Sequence, residues 1–321
     1  MQATSPSKLT DFEVMGRLGS GSFGTVYKVR RKADGLVYVL KAIIIEGMST
    51  KEQLEAINEV KIMASLDHPN CVRYFDSFLD GGRLNIIMEY CNGGDLQLFL
   101  KRHSKEKLRV SEERIWRVFL QIAIGLHYLH KQRVLHRDMK SANVFLCKDA
   151  SVKIGDLGVA RVLGTNTNFA KTCVGTPYYL SPELCEDKPY NQKSDVWALG
   201  CILYECLTLK HPFDARNQGA LILKIIQGHY PPVNGSYSPE IRQLVNRLLS
   251  RDSRRRPFVI DLLALPTCVT KAEELGIALP DDVMAHAAEK SRGRPGGRMR
   301  GRTTLTLNTG ASPKADAPRK P

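Results

Sequence analysis

Residues 136–158 read HRDMKSANVFLCKDASVKIGDLG, and among these 23 residues Asp138, Lys140, Asn143 and Asp156 stand out. Phosphoryl transfer requires these group types: a carboxylate to orient the attacking hydroxyl, a cation on the phosphate, and oxygen ligands that hold Mg²⁺. The surrounding pattern is strand, loop and strand. A charged loop that happens to end in an Asp-Leu-Gly turn has the same composition, so the stretch alone leaves its chemistry open. The other parts of such a site must come from elsewhere in the chain.

Two earlier segments carry suitable groups. Gly19-Ser20-Gly21-Ser22-Phe23-Gly24 separates two alternating runs, DFEVMGRLG and TVYKV. A dinucleotide fingerprint needs a helix after its glycines. The β-branched alternation of residues 25–29 instead predicts a strand, so the glycines cap a hairpin. A tip with so little side-chain bulk can lie over phosphates and offer backbone N–H donors; a bare structural turn is the alternative. Lys41 interrupts the apolar strand VYVLKAI, where an unpartnered cation is costly. Helical spacing over residues 51–66 presents Glu55 and Glu59 as candidate partners. In the competing reading Lys41 snorkels to solvent and both glutamates form a solvated helix face.

The elements that must position these groups follow from pattern. Alternating runs at residues 11–45, 71–75 and 84–90 predict five strands, with one helix between the third and fourth. CNGGDL, residues 91–96, ends the β pattern and marks a boundary between two lobes; a segment joining lobes is a natural floor for a flat ligand. Residues 111–130 read as an amphipathic helix with Ser111 as N-cap, and a further apolar helix opens at Ser194. With 321 residues, 43% of them hydrophobic, the chain can bury a sizeable core. It shows no secretory h-region and no run of 18 apolar residues, and its eight cysteines include no C-x-x-C pair. These features predict a soluble, intracellular protein with reduced thiols and no membrane contact. The net charge is +14, but residues 290–321 carry nine Lys or Arg against one acid. The folded part is therefore only mildly basic, and a nucleic-acid binder is not the reading of choice.

The glycine segment, the Val39-Leu40-Lys41 strand, the H-R-D-x-K-x-x-N loop, Asp-Leu-Gly and Ser-Pro-Glu (181–183) occur in order at usual spacings. Over about residues 11–266 the chain resembles a eukaryotic protein kinase. Phe169-Ala170-Lys171-Thr172, followed by VGTPYYLSPE, is similar to the NIMA-related (NEK) serine/threonine kinases in particular. The resemblance implies an α+β, bilobal fold: an N-lobe (11–90) with a five-stranded antiparallel sheet and one helix, and a mainly helical C-lobe (91–266). An N-terminal extension (1–10) precedes it, and a basic, largely disordered tail (267–321) follows, with a short helix through 270–290. ATP and Mg²⁺ are the implied cofactors, and Ser/Thr-bearing proteins the implied substrates. Lys41 would hold the α- and β-phosphates and pair with Glu59. Asp138 would orient the acceptor hydroxyl and take its proton, Lys140 would sit near the γ-phosphate, and Thr176 would position both. Asn143 and Asp156 would hold the metal. ATP would lie under Leu18, Gly19, Ser20, Gly21, Ser22, Phe23, Gly24 and Val26. Its adenine would be flanked by Met88 and met by the backbones of Glu89 and Cys91. Leu157 departs from the phenylalanine most kinases carry. Asp195 would brace the catalytic loop, and Arg256 would pair with Glu183. The resemblance also implies a role in the cell cycle, at centrosomes and microtubules, or in cilia.

Arg137, joined by Arg161, forms a cationic site for a phosphate on the loop between Asp156 and Glu183. Thr172 is the expected acceptor, ahead of Thr165 and Thr167, through an upstream kinase or autophosphorylation; an ordinary loop threonine is the alternative. Tyr74 has two readings, a core tyrosine and, from the family resemblance, one that turns inward and hinders the active arrangement. Arg292-Gly293-Arg294-Pro295 resembles the core of an AT-hook, a minor-groove reader. A solvated basic tail is the preferred reading of that stretch, and the absence of heptads leaves coiled-coil pairing unsupported.

Overall fold

The computed structural model describes residues 7–21, 24–156, 177–233 and 235–292, without the side chain of Glu59. Among these residues, five strands form one antiparallel sheet: β1 (Phe12–Gly21), β2 (Gly24–Arg31), β3 (Val37–Ile44), β4 (Tyr74–Asp80) and β5 (Arg83–Glu89), in the order β1-β2-β3-β5-β4. The glycine segment is a hairpin as expected, with Ser20 opposite Thr25 and Gly21 opposite Gly24. Gly24 is needed where it stands, because a Cβ there would fall 1.9 Å from the Ala42 carbonyl oxygen on the next strand.

Strand alternation divides the sheet into two faces. Phe12, Val29, Tyr38, Leu40, Ala42, Phe78 and Ile87 make a small cluster. Ile43, Leu84 and Ile86 join Ala56 and Val60 of α1 (Thr50–Ala64) in the main core. Helix α1 starts at a capping box, in which Ser49 and Glu52 satisfy each other's backbone N–H groups.

The rest is mostly helical: α2 (Leu96–Glu106), α3 (Glu112–Lys131), α4 (Pro182–Cys185), α5 (Gln192–Thr208), α6 (Gln218–Gln227), α7 (Pro239–Leu248), α8 (Val259–Leu263), α9 (Pro266–Glu274) and α10 (Asp281–Arg292). The short strands β6 (Val144–Leu146) and β7 (Val152–Ile154) pair between α3 and α4. Every residue of α5 from Ser194 to Leu207 is buried, as expected of a helix apolar on all sides at the centre of a lobe. Among the described residues no helix is long and apolar enough to cross a membrane.

The first part of the expected tail, from residue 267 to 292, is ordered into helix. Residues 266–292 form two helices, and the predicted helix through 270–290 is interrupted, with Gly276 at φ +62° just past the end of α9. Cys268, Ala272 and Val283 are buried. Two aspartates pin α10 to the lobe. Asp282 accepts from Lys131 at 2.9 Å and lies 3.2 Å from His127 Nε2, both on α3; Asp261 of α8 binds His286, at 2.8 Å, and Lys290. These are polar contacts to distant elements, which an Ala-rich, charged composition does not reveal.

The same contacts make the docking sensitive to acid. The Lys131 hydrogen bond, with His127, holds the Asp282 carboxyl below its ordinary value. Partial burial would raise Asp261, but Lys290 and His286 outweigh it and hold that group low as well. A depressed folded-state value stabilises above the ordinary carboxylate range, and the gain is lost as pH falls through the folded values. Hydrogen exchange, corrected for intrinsic rates, should therefore show residues 281–292 losing protection below about pH 4 before α5 does. Simultaneous loss in both helices would contradict this.

Candidate active site

Alternation along β3 puts Lys41 on the face opposite Leu40 and Ala42, between Val26 on β2 and Ile86 on β5. Its ammonium pairs with Asp156 Oδ1, which arrives from the end of β7. Desolvation in the cleft would raise the Asp156 carboxyl. The Lys41 charge and hydrogen bond, supported by Lys140, outweigh this and keep the group ionised below the usual carboxylate range. The Glu59 side chain, the expected partner, lies outside what the structure describes; its backbone is in α1.

Between α3 and β6 the chain brings three polar side chains together. Lys140 Nζ donates to Asp138 Oδ2 at 2.7 Å. Asn143, on the 3-10 turn Ser141–Asn143, donates from Nδ2 to the same oxygen at 2.9 Å and to the Asp138 carbonyl at 2.8 Å. Both donations use the amide nitrogen, so Asn143 Oδ1 remains as a ligand atom. Asp156 Oδ2 is likewise not the atom bound to Lys41. Two oxygen donors, one of them anionic, suit a hard divalent cation.

Buried groups that sequence reasoning left out of the site hold this loop in place. His136 is fully buried, and burial lowers its imidazole to the neutral form. Nδ1 accepts the Asp138 N–H at 3.3 Å, so Nε2 carries the hydrogen and donates to the Gly155 carbonyl at 3.1 Å. One ring thereby ties the segment bearing Asp138 to the segment bearing Asp156. Arg137 and Asp156 both adopt positive φ, +68° and +61°, which side chains other than glycine seldom occupy.

Asp195, on α5, secures the first of these. Its carboxylate accepts the N–H groups of His136 and Arg137, each at 3.1 Å, together with His130 Nε2 at 2.7 Å and the Tyr190 hydroxyl. Complete burial would raise this carboxyl, but His130, with His136 and Tyr190, outweighs it and keeps it low. Glu205, also on α5, accepts from Tyr179 at 2.6 Å and from Ser141 at 3.2 Å, anchoring the residue after Lys140. A sequence signal existed for this scaffold: Asp195 and Glu205 are acids in a helix apolar all round, where each requires donors.

Leu18, Gly19, Ser20, Gly21, Gly24 and Val26 lie on the β1–β2 hairpin, and Met88 and Glu89 end β5. The Glu89 N–H is donated to the Arg73 carbonyl at 2.9 Å, and its carboxylate takes Lys153 at 3.1 Å. Cys91 follows, buried. Tyr74 is half-buried at the start of β4, opposite Met88, and donates to Ser77 Oγ at 2.9 Å. Ser22, Phe23, Leu157, Arg161, Thr165, Thr167, Thr172, Thr176 and the tail from residue 293 lie outside the described residues.

A family model described as the protein kinase domain matches residues 12–266. The chain belongs to the protein kinase family. The relatives it resembles point to the branch already read from the activation segment. It is 49% identical over 247 residues to the serine/threonine-protein kinase Nek1 of Mus musculus, covering 77% of this chain and 20% of that protein. It is 44% identical over 257 residues to Nek5 of Homo sapiens, covering 79% and 36%, and 42% identical over 268 residues to Nek2 of Homo sapiens, covering 81% and 60%. The chain thus spans only a fifth of the first of these relatives and three fifths of the last. A protein kinase domain of this kind implies ATP and a divalent metal as its ligands, and the five-stranded sheet with a helical second part agrees with the expected α+β architecture.

Proposed function

We propose that this kinase domain transfers the γ-phosphate of ATP to serine and threonine hydroxyls of proteins, as a NIMA-related kinase with Mg²⁺ as its metal. The observation that carries the reading is the cluster of Lys140, Asp138 and Asn143 beside Asp156, to which Lys41 reaches across from the other lobe. In this reading Asp138 orients the acceptor hydroxyl and takes its proton as the oxygen attacks, and Lys140 offsets charge at the γ-phosphate. Lys41 holds the α- and β-phosphates, and the hairpin at residues 18–26 covers them. Adenine lies against Met88 and the backbone of residues 89–91. Asn143 and Asp156 hold the metal, which when bound neutralises phosphate charge. Thr176 positions Asp138 and Lys140, and phosphorylation at Thr172, read by Arg137 and Arg161, raises the rate.

The test is transfer of radiolabelled γ-phosphate to a generic protein, followed by phosphoamino-acid analysis. Label on serine and threonine, lost on chelation and restored by Mg²⁺, is expected, with Thr172→Ala turning over more slowly than the phosphorylated parent. Absence of transfer, or label on tyrosine alone, would reject the proposal; an unchanged Thr172→Ala rate would reject its regulatory part. By the same reading the protein acts in the cytoplasm, on the cytoskeleton, at the centrosome or cilium, or in the nucleus, and a fluorescent fusion confined to a membrane compartment would contradict this.

A further inference from the structure

Two thiols meet at the edge of the nucleotide cleft. Residues 91–95, which leave the sheet after β5, run along the end of β6. Gly93 N–H donates to Leu146 O at 2.9 Å, Leu146 N–H to Gly94 O at 2.8 Å, and Lys148 N–H to Asn92 Oδ1 at 2.9 Å. Asp95 and Phe145 form a further bridge. The backbones are so close that a Cβ at Gly93 would stand 2.6 Å from the Leu146 carbonyl oxygen. This ladder brings Cys91 next to Cys147, and burial together with the neighbouring Cys147 thiol raises that of Cys91.

The two thiols differ in access. Cys91 is buried, while Cys147 is half-buried and reaches solvent. Burial, followed by the neighbouring Cys147 and Glu89, pushes the Cys91 thiol up, against the pull of Lys153. Burial likewise pushes up Cys71, Cys201, Cys206 and Cys268, all of them enclosed away from solvent. Of the pair, Cys147 is therefore placed to meet an oxidant first, and Cys91, beside it, to resolve the product.

We propose that Cys91 and Cys147 form a reversible disulfide under hydrogen peroxide, and that this bond weakens ATP binding; the second half rests on the nucleotide-binding reading above. In the first step the Cys147 sulfur takes one peroxide oxygen, the O–O bond breaks, and the products are Cys147 sulfenic acid and water. The Cys91 sulfur then attacks the Cys147 sulfur. The S–S bond forms, the S–O bond breaks, and the Cys91 proton leaves with the departing hydroxide as a second water. The two thiols lose two electrons and the peroxide gains them, and a dithiol reductant reverses the change.

The effect on ATP follows from dimensions. A disulfide brings the sulfurs to about 2.05 Å, well inside a non-bonded contact, and so draws residue 91 toward β6. Hydrogen bonds to adenine from that backbone tolerate only a few tenths of an ångström. Losing about one of them corresponds to a roughly fivefold rise in KM for ATP.

The experiment uses the full chain treated with hydrogen peroxide, alkylated, digested and analysed by peptide mass spectrometry, in parallel with ATP titrations of kinase activity. Expected are a Cys91–Cys147 cross-linked peptide that dithiothreitol removes, and a rise in KM for ATP that is absent from both Cys147→Ser and Cys147→Ala. Peroxide that leaves no such cross-link, or that joins Cys147 to another cysteine, overturns the proposal. A cross-link with unchanged KM overturns its effect on ATP. If the reduced protein transfers no phosphate at all, the kinase reading fails while the peptide map still decides the disulfide.

Discussion

Asp138→Ala is expected to slow phosphoryl transfer by about 10²- to 10⁴-fold, the range for loss of a positioned acid–base group, which is roughly 3–5 kcal/mol of barrier. The Asp138 carboxylate is the common acceptor for Lys140 Nζ and Asn143 Nδ2. In the proposed reading its removal deletes the group that orients the acceptor hydroxyl, and it also frees both neighbours from their shared anchor. Groups that act as a unit are not additive, so Asp138→Ala with Lys140→Ala should be little slower than Asp138→Ala alone. The fold should survive, because the loop backbone is held by His136 and Asp195 rather than by the Asp138 side chain. ATP affinity, measured by direct titration, should change little, since Lys41 and the hairpin do not touch Asp138 in the described contacts. Single-turnover rates alongside thermal melts provide the check. A variant that keeps more than about a tenth of the parent rate would remove Asp138 from the role given to it.

Arg256→Ala should destabilise the protein by about 3–5 kcal/mol, the cost of breaking a buried ion pair from one side. The guanidinium is 0% exposed, and all five of its N–H groups are used. Two reach the Glu183 oxygens at 2.8 Å each, and the others reach the carbonyls of Ser250 at 2.8 Å, Lys193 at 2.9 Å and Arg251 at 3.2 Å. The ring of Trp197 lies 4.8 Å away beneath it. Truncation strands a buried carboxylate and three carbonyls, and lysine cannot reproduce the fork, so Arg256→Lys should recover little.

Differential scanning calorimetry should show Tm lower by roughly 10 °C. Burial would raise the Glu183 carboxyl, but Arg256 and Ser194 outweigh it and hold it low. The pair's contribution is therefore present at neutral pH and disappears as pH falls below the ordinary carboxylate range. The gap between parent and variant should narrow in acid. A variant that melts within about 2 °C of the parent at neutral pH would show the pair to be dispensable.

These expectations draw differently on sequence and structure. Asp138, Lys140 and Asn143 were readable because six adjacent positions supply all three, and a single 3-10 turn suffices to bring them together. Lys41 was readable as a cation in want of a partner, because it interrupts a strand whose neighbours are apolar, although snorkelling to solvent was a competing reading. Its contact with Asp156, 115 positions away, was not readable, because helical spacing offered only nearby glutamates. The side chain of Glu59, the partner expected from the family, lies outside the described residues. The docking of α10 was missed for a related reason: its polar pins lie on α3 and α8, and its own composition looks like that of a tail.

The sequence by itself determined the local facts: strand alternation, the Ser49 and Ser111 caps, the glycine hairpin, and the order and types of the reactive groups. These depend on residues a few positions apart, where periodicity and backbone preference act. The family resemblance anticipated Asp195 as a brace of the catalytic loop, but only the tertiary structure decided which other distant groups meet: Glu205 with Tyr179 and Ser141, His136 between the two aspartate-bearing segments, Cys91 against Cys147, and α10 on the lobe. Each is a contact between elements far apart in the chain. Burial there makes an unpaired polar group costly, so the partner is chosen by packing, on which local pattern carries no information.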